Sequence, residues 1–204
     1  TFDGVHIGHQ KILKKLVDCA KETNGESVLL TFFPHPRLIF NPEDENLRLI
    51  NDIEEKVHQL AIAGLDHLII TPFTRDFSNQ TAEEYIRNVL VNKLGTKVII
   101  IGYDHHFAKD RKGSIKDLIE LSDIFDFQVK EIPKQDIEDV AVSSTRIREA
   151  LITGNIENAN KYLGYAFELT GTVIKGDQIG RTIGFPTANI HVHESHKLIP
   201  AYGI

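Results

Sequence analysis

The chain has 204 residues, 41% of them apolar and 25% charged, a composition that excludes a disordered tail, a collagen-like fibre or a coiled coil as the main content. At roughly 150 residues per domain the length allows about 1.4 domains, one domain and part of another. Twenty-three basic against 29 acidic residues give a net charge of −6. That balance argues against a general nucleic-acid binder, so any phosphate must be held by a few placed groups and by backbone amides.

The apolar stretches Val28 to Leu30 and Val98 to Ile101 are far shorter than the roughly 18 residues of a bilayer span, and no basic-then-apolar leader opens the chain. A soluble, cytoplasmic protein without membrane or nucleic-acid partners is expected. The single cysteine, Cys19, cannot form an internal disulfide, fits a reducing compartment and reads as a helix residue without chemistry. The chain starts at Thr1 and contains no methionine, which suggests a fragment or a sequence from which modified methionines are missing.

In chain order, Gly8 to Asn24 carries Ile12, Leu13, Leu16, Val17 and Ala20 at helical spacing, with Gly25 as the stop. Ser27 to Phe33 is β-rich and ends at Pro34 and Pro36. A helix runs from Asp52 to Ala63, capped by Asn51 or Asp52 and stopped by Gly64. His67 to Thr71 is a strand. Thr81-x-x-Glu84 has the capping-box form and opens a helix through Leu94. Lys97 to Ile101 is an apolar strand, Ser114 to Phe125 a helix and Phe127 to Ile132 a strand. Thr145 to Ile152 and Ile156 to Leu163 are helices separated by Gly154. This alternation predicts an α/β domain with a parallel, Rossmann-like sheet, right-handed crossovers and ligands at the carboxyl ends of its strands. After Gly164 the pattern changes. Phe167 to Lys175 alternates as a strand, Gly176, Gly180, Gly184 and Pro186 follow, and no helix is expected. The domains are read as 1–164 and 165–204, the second all-β and cut short.

The most specific local signal is Thr1-Phe2-Asp3-Gly4-Val5-His6-Ile7-Gly8-His9. A strand end turns at Gly4 into a helix whose first turn contains Gly8, so two imidazoles three residues apart project from a helix N-terminus. Free amides and the helix dipole favour an anion there, the imidazoles can donate to phosphoryl oxygens, and Gly8 lets a flat base approach. The plain alternative is that the histidines are caps or surface residues; a zinc site would need further ligands. Ser143, Ser144 and Thr145 sit at another helix start with Arg148 one turn on, a second set of hydroxyls, amides and charge suited to phosphate. One hydroxyl alone would serve as a plain N-cap.

The His6-Ile7-Gly8-His9 string resembles the His-x-Gly-His signature of the nucleotidylyltransferases. Its Phe-Asp-Gly-Val-His form resembles the prokaryotic bifunctional riboflavin kinase/FMN adenylyltransferase family. Thr31-Phe32-Phe33-Pro34-His35-Pro36, Val142 to Arg148 and Gly180-Arg181-Thr182-Ile183-Gly184-Phe185-Pro186-Thr187-Ala188-Asn189 resemble further motifs of that family, in order. Gly102 to Gly113 resembles its flavin or nucleotide loop through Gly102, Asp104, Phe107, Arg111 and Gly113, with His105 in place of an aromatic residue and Ala108 in place of a glycine. Leu163-Gly164-Tyr165-Ala166-Phe167 departs from the family's Leu-Gly-Arg-Pro-Tyr junction.

The resemblance implies AMP transfer from ATP to FMN, giving FAD and pyrophosphate, and riboflavin phosphorylation by the intact second module, a small antiparallel barrel. It implies His6 and His9 on the α-phosphoryl oxygens, with Arg148 as a third catalytic group. Ser144, Thr145 and Arg148 would hold the β- and γ-phosphates, and Phe2, Asp3, Gly4, Gly8 and Ser143 complete the ATP site. Pro34, His35, Asp104 and Arg111 would meet the flavin or nucleotide. Gly176, Gly180, Arg181, Thr187 and Asn189 would form the kinase ATP site, where Thr187 and Asn189, read on one strand face, would coordinate Mg²⁺. A Gly-rich turn without function is the alternative for that segment. Three other functions stand beside this reading: a nucleotidylyltransferase for another phosphate-bearing acceptor, a class I aminoacyl-tRNA synthetase, which the short acidic chain disfavours, and a binding regulator without catalysis.

Overall fold

The computed structural model describes residues 2–43, 46–102, 105–133 and 142–202. Its principal elements run α1 (Ile7–Glu22), β1 (Val28–Phe32), α2 (Ile53–Ile62), β2 (His67–Thr71), α3 (Ala82–Tyr85), β3 (Val98–Gly102), α4 (Ile115–Phe125), β4 (Gln128–Ile132), α5 (Ser144–Ile152), α6 (Ile156–Leu163), β5 (Thr172–Ile174) and β6 (Asn189–His191). Short helical turns at Pro36–Phe40, Arg75–Ser78 and Ile179–Thr182 add to them. None of the helices is long and apolar enough to cross a membrane among the described residues. The chain divides into two units, Gln10–Asp44 with Gly64–Ala141, and Phe2–His9 with Glu45–Ala63 and Val142–Ile204.

The first unit is mixed α/β. β1 pairs parallel with β2, from Val28 opposite His67 to Phe32 opposite Thr71, and β3 pairs parallel with β4, from Val98 opposite Gln128 to Gly102 opposite Ile132. The parallel direction agrees with the sequence expectation. The single sheet does not: among the described residues the strands form separate two-stranded ladders. Asp66 locks the start of the first pair, accepting from Ser27 N and Oγ at 2.8 and 2.7 Å.

The Thr81–Glu84 capping box forms, but α3 widens into a π-helical turn over Ile86–Val91. That turn brings Ile86 into the core of Ile101, Leu118 and Phe127, and packs Leu90 and Val91 against it. The spacing predicts a regular helix to Leu94; tertiary packing overrides the local period here. In the following loop Ala108 has φ +61° and ψ −168°, a region almost confined to glycine. An alanine therefore carries backbone strain where a glycine would not.

The second unit is built around Ile50, Ile147, Ala150, Leu151, Ala159, Leu163 and Leu198. α2 is capped by Asp52, one of the two residues the sequence offered, and its cap closes into a capping box with Glu55; α6 ends on the left-handed Gly164. Two expectations after Gly164 need correction. The strand read over Phe167 to Lys175 contracts to β5, because side chains take the backbone groups a ladder would use: Glu168 O accepts from Lys197 Nζ at 2.9 Å, and Thr170 N donates to Glu55 Oε1 at 3.0 Å. A short helix, Ile179–Thr182, also forms where none was expected. β5 pairs antiparallel with β6, Thr172 opposite His191.

Candidate functional site

The segment Phe2 to His9 lies in the second unit and is a strained turn leading into α1. Phe2, Gly4 and Val5 have φ of +51°, +84° and +32°, and for the β-branched, 1% exposed Val5 this is a genuine outlier. Such backbone persists only where the surroundings over-determine it, and here they do. Phe2 O accepts from Val5 N at 3.3 Å, Asp3 O from Ser144 Oγ at 2.9 Å, and Gly4 O from the Tyr165 hydroxyl at 2.7 Å. Gly4 is required twice over, since a Cβ there would meet Ile50 Cδ1 at 3.0 Å in addition to the positive φ.

The buried Asp3 carboxylate organises the site. Oδ1 accepts from Ile50 N at 3.0 Å and from Asn51 N at 3.3 Å, while Oδ2 accepts from Arg148 Nη2 at 2.5 Å. Arg148 Nε also donates to Arg48 O at 2.7 Å. Two of the five guanidinium N–H groups are thereby used to hold Arg148 in place, and the others remain for a ligand.

His6 precedes the first residue of α1, and its Nδ1 accepts the His9 N–H at 3.4 Å, so it caps the helix and its proton sits on Nε2. The His6 and His9 rings stack with centroids 3.7 Å apart and planes 19° from parallel. A Cβ on Gly8 would meet the His6 ring at 3.1 Å, so Gly8 is what allows the ring to fold back over the helix start. Burial pushes the His6 imidazole down to about 4; Asp3 opposes this and Arg148 reinforces it. Burial also lowers His9 well below the usual histidine range, with His6 and Lys56 acting in the same direction. Both rings are neutral near pH 7. The pair therefore offers N–H donors rather than cations at a helix start whose first amides have no intrahelical acceptor. His9 Nδ1 is buried without a hydrogen-bond partner, a polar atom that a bound oxygen or donor would satisfy.

Ser143 is the N-cap of α5, accepting from Arg146 N at 3.4 Å. With the Ser144 hydroxyl on Asp3 O, two of the three hydroxyls read as phosphate ligands shape the protein, and Thr145 is exposed. The structure thus brings Phe2, Asp3, Gly4, His6, Gly8, His9, Ser144 and Arg148 together in one unit. Sequence reading missed Lys56, 6% exposed on α2, whose ammonium pKa is lowered by burial against the opposing pull of Asp3. It also missed Tyr165 and Lys197. Lys56 and Lys197 lie in no local motif, and Tyr165 stands out only as a departure at the 163–167 junction; its partner Gly4 lies 161 residues away.

The remaining predicted residues divide between the two units. In the first, Pro34 follows a cis peptide bond and His35 Nδ1 accepts from Arg37 N at 3.2 Å, capping Pro36–Phe40. A ladder of aromatic rings runs beside them, Phe40 to Phe73 to Phe32 and Phe77, then Tyr85 and Phe107, with centroids 5.0–6.0 Å apart. Arg111 is exposed at φ +56°; Asp104 lies outside the described residues. In the second unit Arg181, Thr187 and Asn189 are exposed. Gly180 O accepts from Phe185 N at 2.7 Å, and Gly176 packs against the Asn189 amide. Thr187 falls before β6, so the alternation that placed Thr187 and Asn189 on one strand face does not apply.

A sequence model of the FAD synthetase family matches residues 1–146, and one of the riboflavin kinase family matches residues 163–204. The chain is 37% identical over 203 residues to the bifunctional riboflavin kinase/FMN adenylyltransferase of Listeria monocytogenes, covering 100% of this chain and 64% of that protein. It is 39% identical over 199 residues to the protein of the same description from Buchnera aphidicola, covering 97% and 64%. The corresponding Escherichia coli protein is 34% identical over 204 residues, covering 100% and 64%. The chain thus spans somewhat less than two thirds of these relatives. A solved structure described as a macrolide-efflux protein from Streptococcus pneumoniae superposes with a TM-score of 0.85 at 32% identity, covering 100% of this chain and 65% of that one. The His-x-Gly-His turn, its buried aspartate and the matched sequence model together place this chain in the FAD synthetase family.

Proposed function

We propose that the protein transfers the AMP moiety of ATP to FMN, forming FAD and pyrophosphate. The observation that carries this reading is the stacked His6–His9 pair at the start of α1, in a turn whose Asp3 carboxylate is bonded to Arg148, in a chain of this family. An FMN phosphate oxygen attacks the α-phosphorus, a new P–O bond forms in line, and the bond to the β-phosphate bridging oxygen breaks with its electron pair leaving on pyrophosphate. The attacking phosphate is already ionised at neutral pH, so no general base is required.

The work of the protein is positioning and charge stabilisation. His6 Nε2–H and His9 donate to the α-phosphoryl oxygens, where negative charge has to be held in the transition state. The backbone amides of Ser144 and Thr145, the Thr145 hydroxyl and the unused N–H groups of Arg148 meet the β- and γ-phosphates, while the Ser144 hydroxyl stays on Asp3 O and Ser143 sets the start of α5. Phe2, Asp3, Gly4 and Gly8 shape the nucleotide turn. Pro34, His35, Asp104 and Arg111 contact the flavin or the nucleotide, and the aromatic ladder beside Pro34 is suited to stacking an isoalloxazine ring.

Residues 165–204 form the start of a riboflavin kinase module, in which β5 and β6 open a small antiparallel barrel. Gly176, Gly180, Arg181, Thr187 and Asn189 belong to its ATP site. Among the described residues no group of three or more His, Cys, Asp or Glu side chains gathers as a metal site. Thr187 and Asn189 offer neutral oxygens, a donor set that fits Mg²⁺ held mainly by nucleotide phosphates and water; the ion would neutralise triphosphate charge.

Incubation with ATP, Mg²⁺ and FMN, read by flavin mass and pyrophosphate release, tests the proposal. FAD and pyrophosphate in equal amounts are expected. Transfer onto another phosphate-bearing acceptor in preference to FMN would overturn the substrate assignment, and no transfer to any acceptor would overturn the reaction.

A further inference from the structure

Three successive carbonyls of the strained turn are each held by a different part of the chain. Phe2 O is held within the turn by Val5 N, and Asp3 O by Ser144. The third, Gly4 O, is held by Tyr165, the first residue beyond the left-handed cap Gly164 of α6. The same phenol oxygen lies 3.2 Å from Asn51 Oδ1, and Asn51 N donates to Asp3 Oδ1 at 3.3 Å. The phenol therefore connects the turn to the segment that anchors the buried aspartate. Its ring packs against the core cluster of the second unit, which fixes the direction of the hydroxyl. Gly4 lies two residues before His6 and has positive φ, so rotation of the Gly4 peptide would re-aim His6 and, through the ring stack, His9.

We propose that Tyr165 is a positioning residue for adenylyl transfer: its hydroxyl fixes the Gly4 peptide and so aims the two imidazoles at the reacting phosphoryl group. The inference rests on the adenylyltransferase reading for its kinetics and on the geometry alone for its structural content. A residue near the start of the segment that matches riboflavin kinase thereby becomes part of the first reaction's machinery, acting through the Gly4 peptide. Positioning effects of this kind appear in the chemical step, because the transition state is less tolerant of misplacement than the bound ground state.

The test is Tyr165→Phe in the full-length protein, since phenylalanine keeps the packed ring and removes only the hydroxyl. Steady-state kinetics should show kcat lowered about tenfold, the size of one well-made hydrogen bond, with KM for ATP within about twofold and the protein still fully folded at the assay temperature. The ring resonances of His6 and His9, observed by NMR without substrate, should shift. An unchanged kcat, or a loss of activity matched by loss of folded protein, overturns the inference. If the wild-type protein makes no FAD, the reading of the reaction fails separately. The histidine resonances then decide alone, unshifted rings overturning the positioning role and shifted rings supporting it.

Discussion

Two segments of the second unit were both read from sequence as glycine-containing phosphate loops, yet they are built differently. In residues 2–9 the backbone is strained, the carboxylate of Asp3 and the ring of His6 are buried, and three successive carbonyls are held. In residues 172–191 the strands β5 and β6 are exposed along their whole length, and Ile179, Ile183 and Phe185 are between 66% and 75% exposed. The first region has the preorganisation that the proposed anion site requires: its backbone carbonyls and the Asp3 carboxylate are fixed by protein partners rather than by a ligand. The second has the residue types without that support. Glycine spacing alone does not distinguish the two; long-range partners do.

The sharpest way to break the contrast is to remove the support. Lys197 is fully covered, with its ammonium held by the Glu55 carboxylate, Ile50 O at 2.6 Å and Glu168 O at 2.9 Å, and its charge 4.5 Å from the Phe167 ring centroid. Lys197→Met leaves Glu55 buried and unpaired, and a loss of about 3–5 kcal/mol is expected. For a chain of this size that means a melting temperature lower by roughly 10 °C. A change of less than about 2 °C would mean that the pair does not hold the 49–55 segment.

A milder perturbation is acid. His6 is neutral in the fold with its pKa near 4, against an ordinary 6.5, so the unfolded chain takes up a proton that the folded chain refuses between these values. Its contribution to stability is complete above pH 6.5, is lost as the pH falls toward 4, and changes no further below that. The total is about 3 kcal/mol, and the lowered His9 acts with the same sign. Urea unfolding measured from pH 7 to pH 4 should show this decline, and His6→Asn should reduce it. A slope unaffected by the substitution would contradict the burial account. At the other end of the scale, Thr187→Ala should move stability by no more than about 0.5 kcal/mol, as for an exposed side chain without fixed partners. A larger loss would show that the second segment is built after all.

The legible parts of the fold were those with local causes. Thr81-x-x-Glu84 forms the capping box that its spacing suggests, Asp52 caps α2, and Gly64 follows that helix in the left-handed conformation. The candidate site was legible as residue types: His6, Gly8, His9, Asp3, Ser144 and Arg148 do come together. Their roles in the architecture were not legible. Asp3 finds Ile50 47 residues away and Arg148 145 residues away, and no periodicity encodes such pairings. For the same reason Lys56 and Lys197 carried no signal, Tyr165 carried one only as a departure from the junction pattern, and the strand expected over 167–175 lost its first residues to side-chain hydrogen bonds.

The central claim is that the neutral histidine pair acts on the transferring phosphoryl group rather than on ATP binding. The direct measurement is the single-turnover rate of FAD formation by His9→Ala beside its equilibrium affinity for ATP. The account predicts a chemical step slower by about 10²–10³-fold, the effect of losing one preorganised donor to developing charge, with ATP affinity within about threefold of the wild type. A chemical step at the wild-type rate, or a weakening of ATP binding as large as the loss in rate, would contradict it.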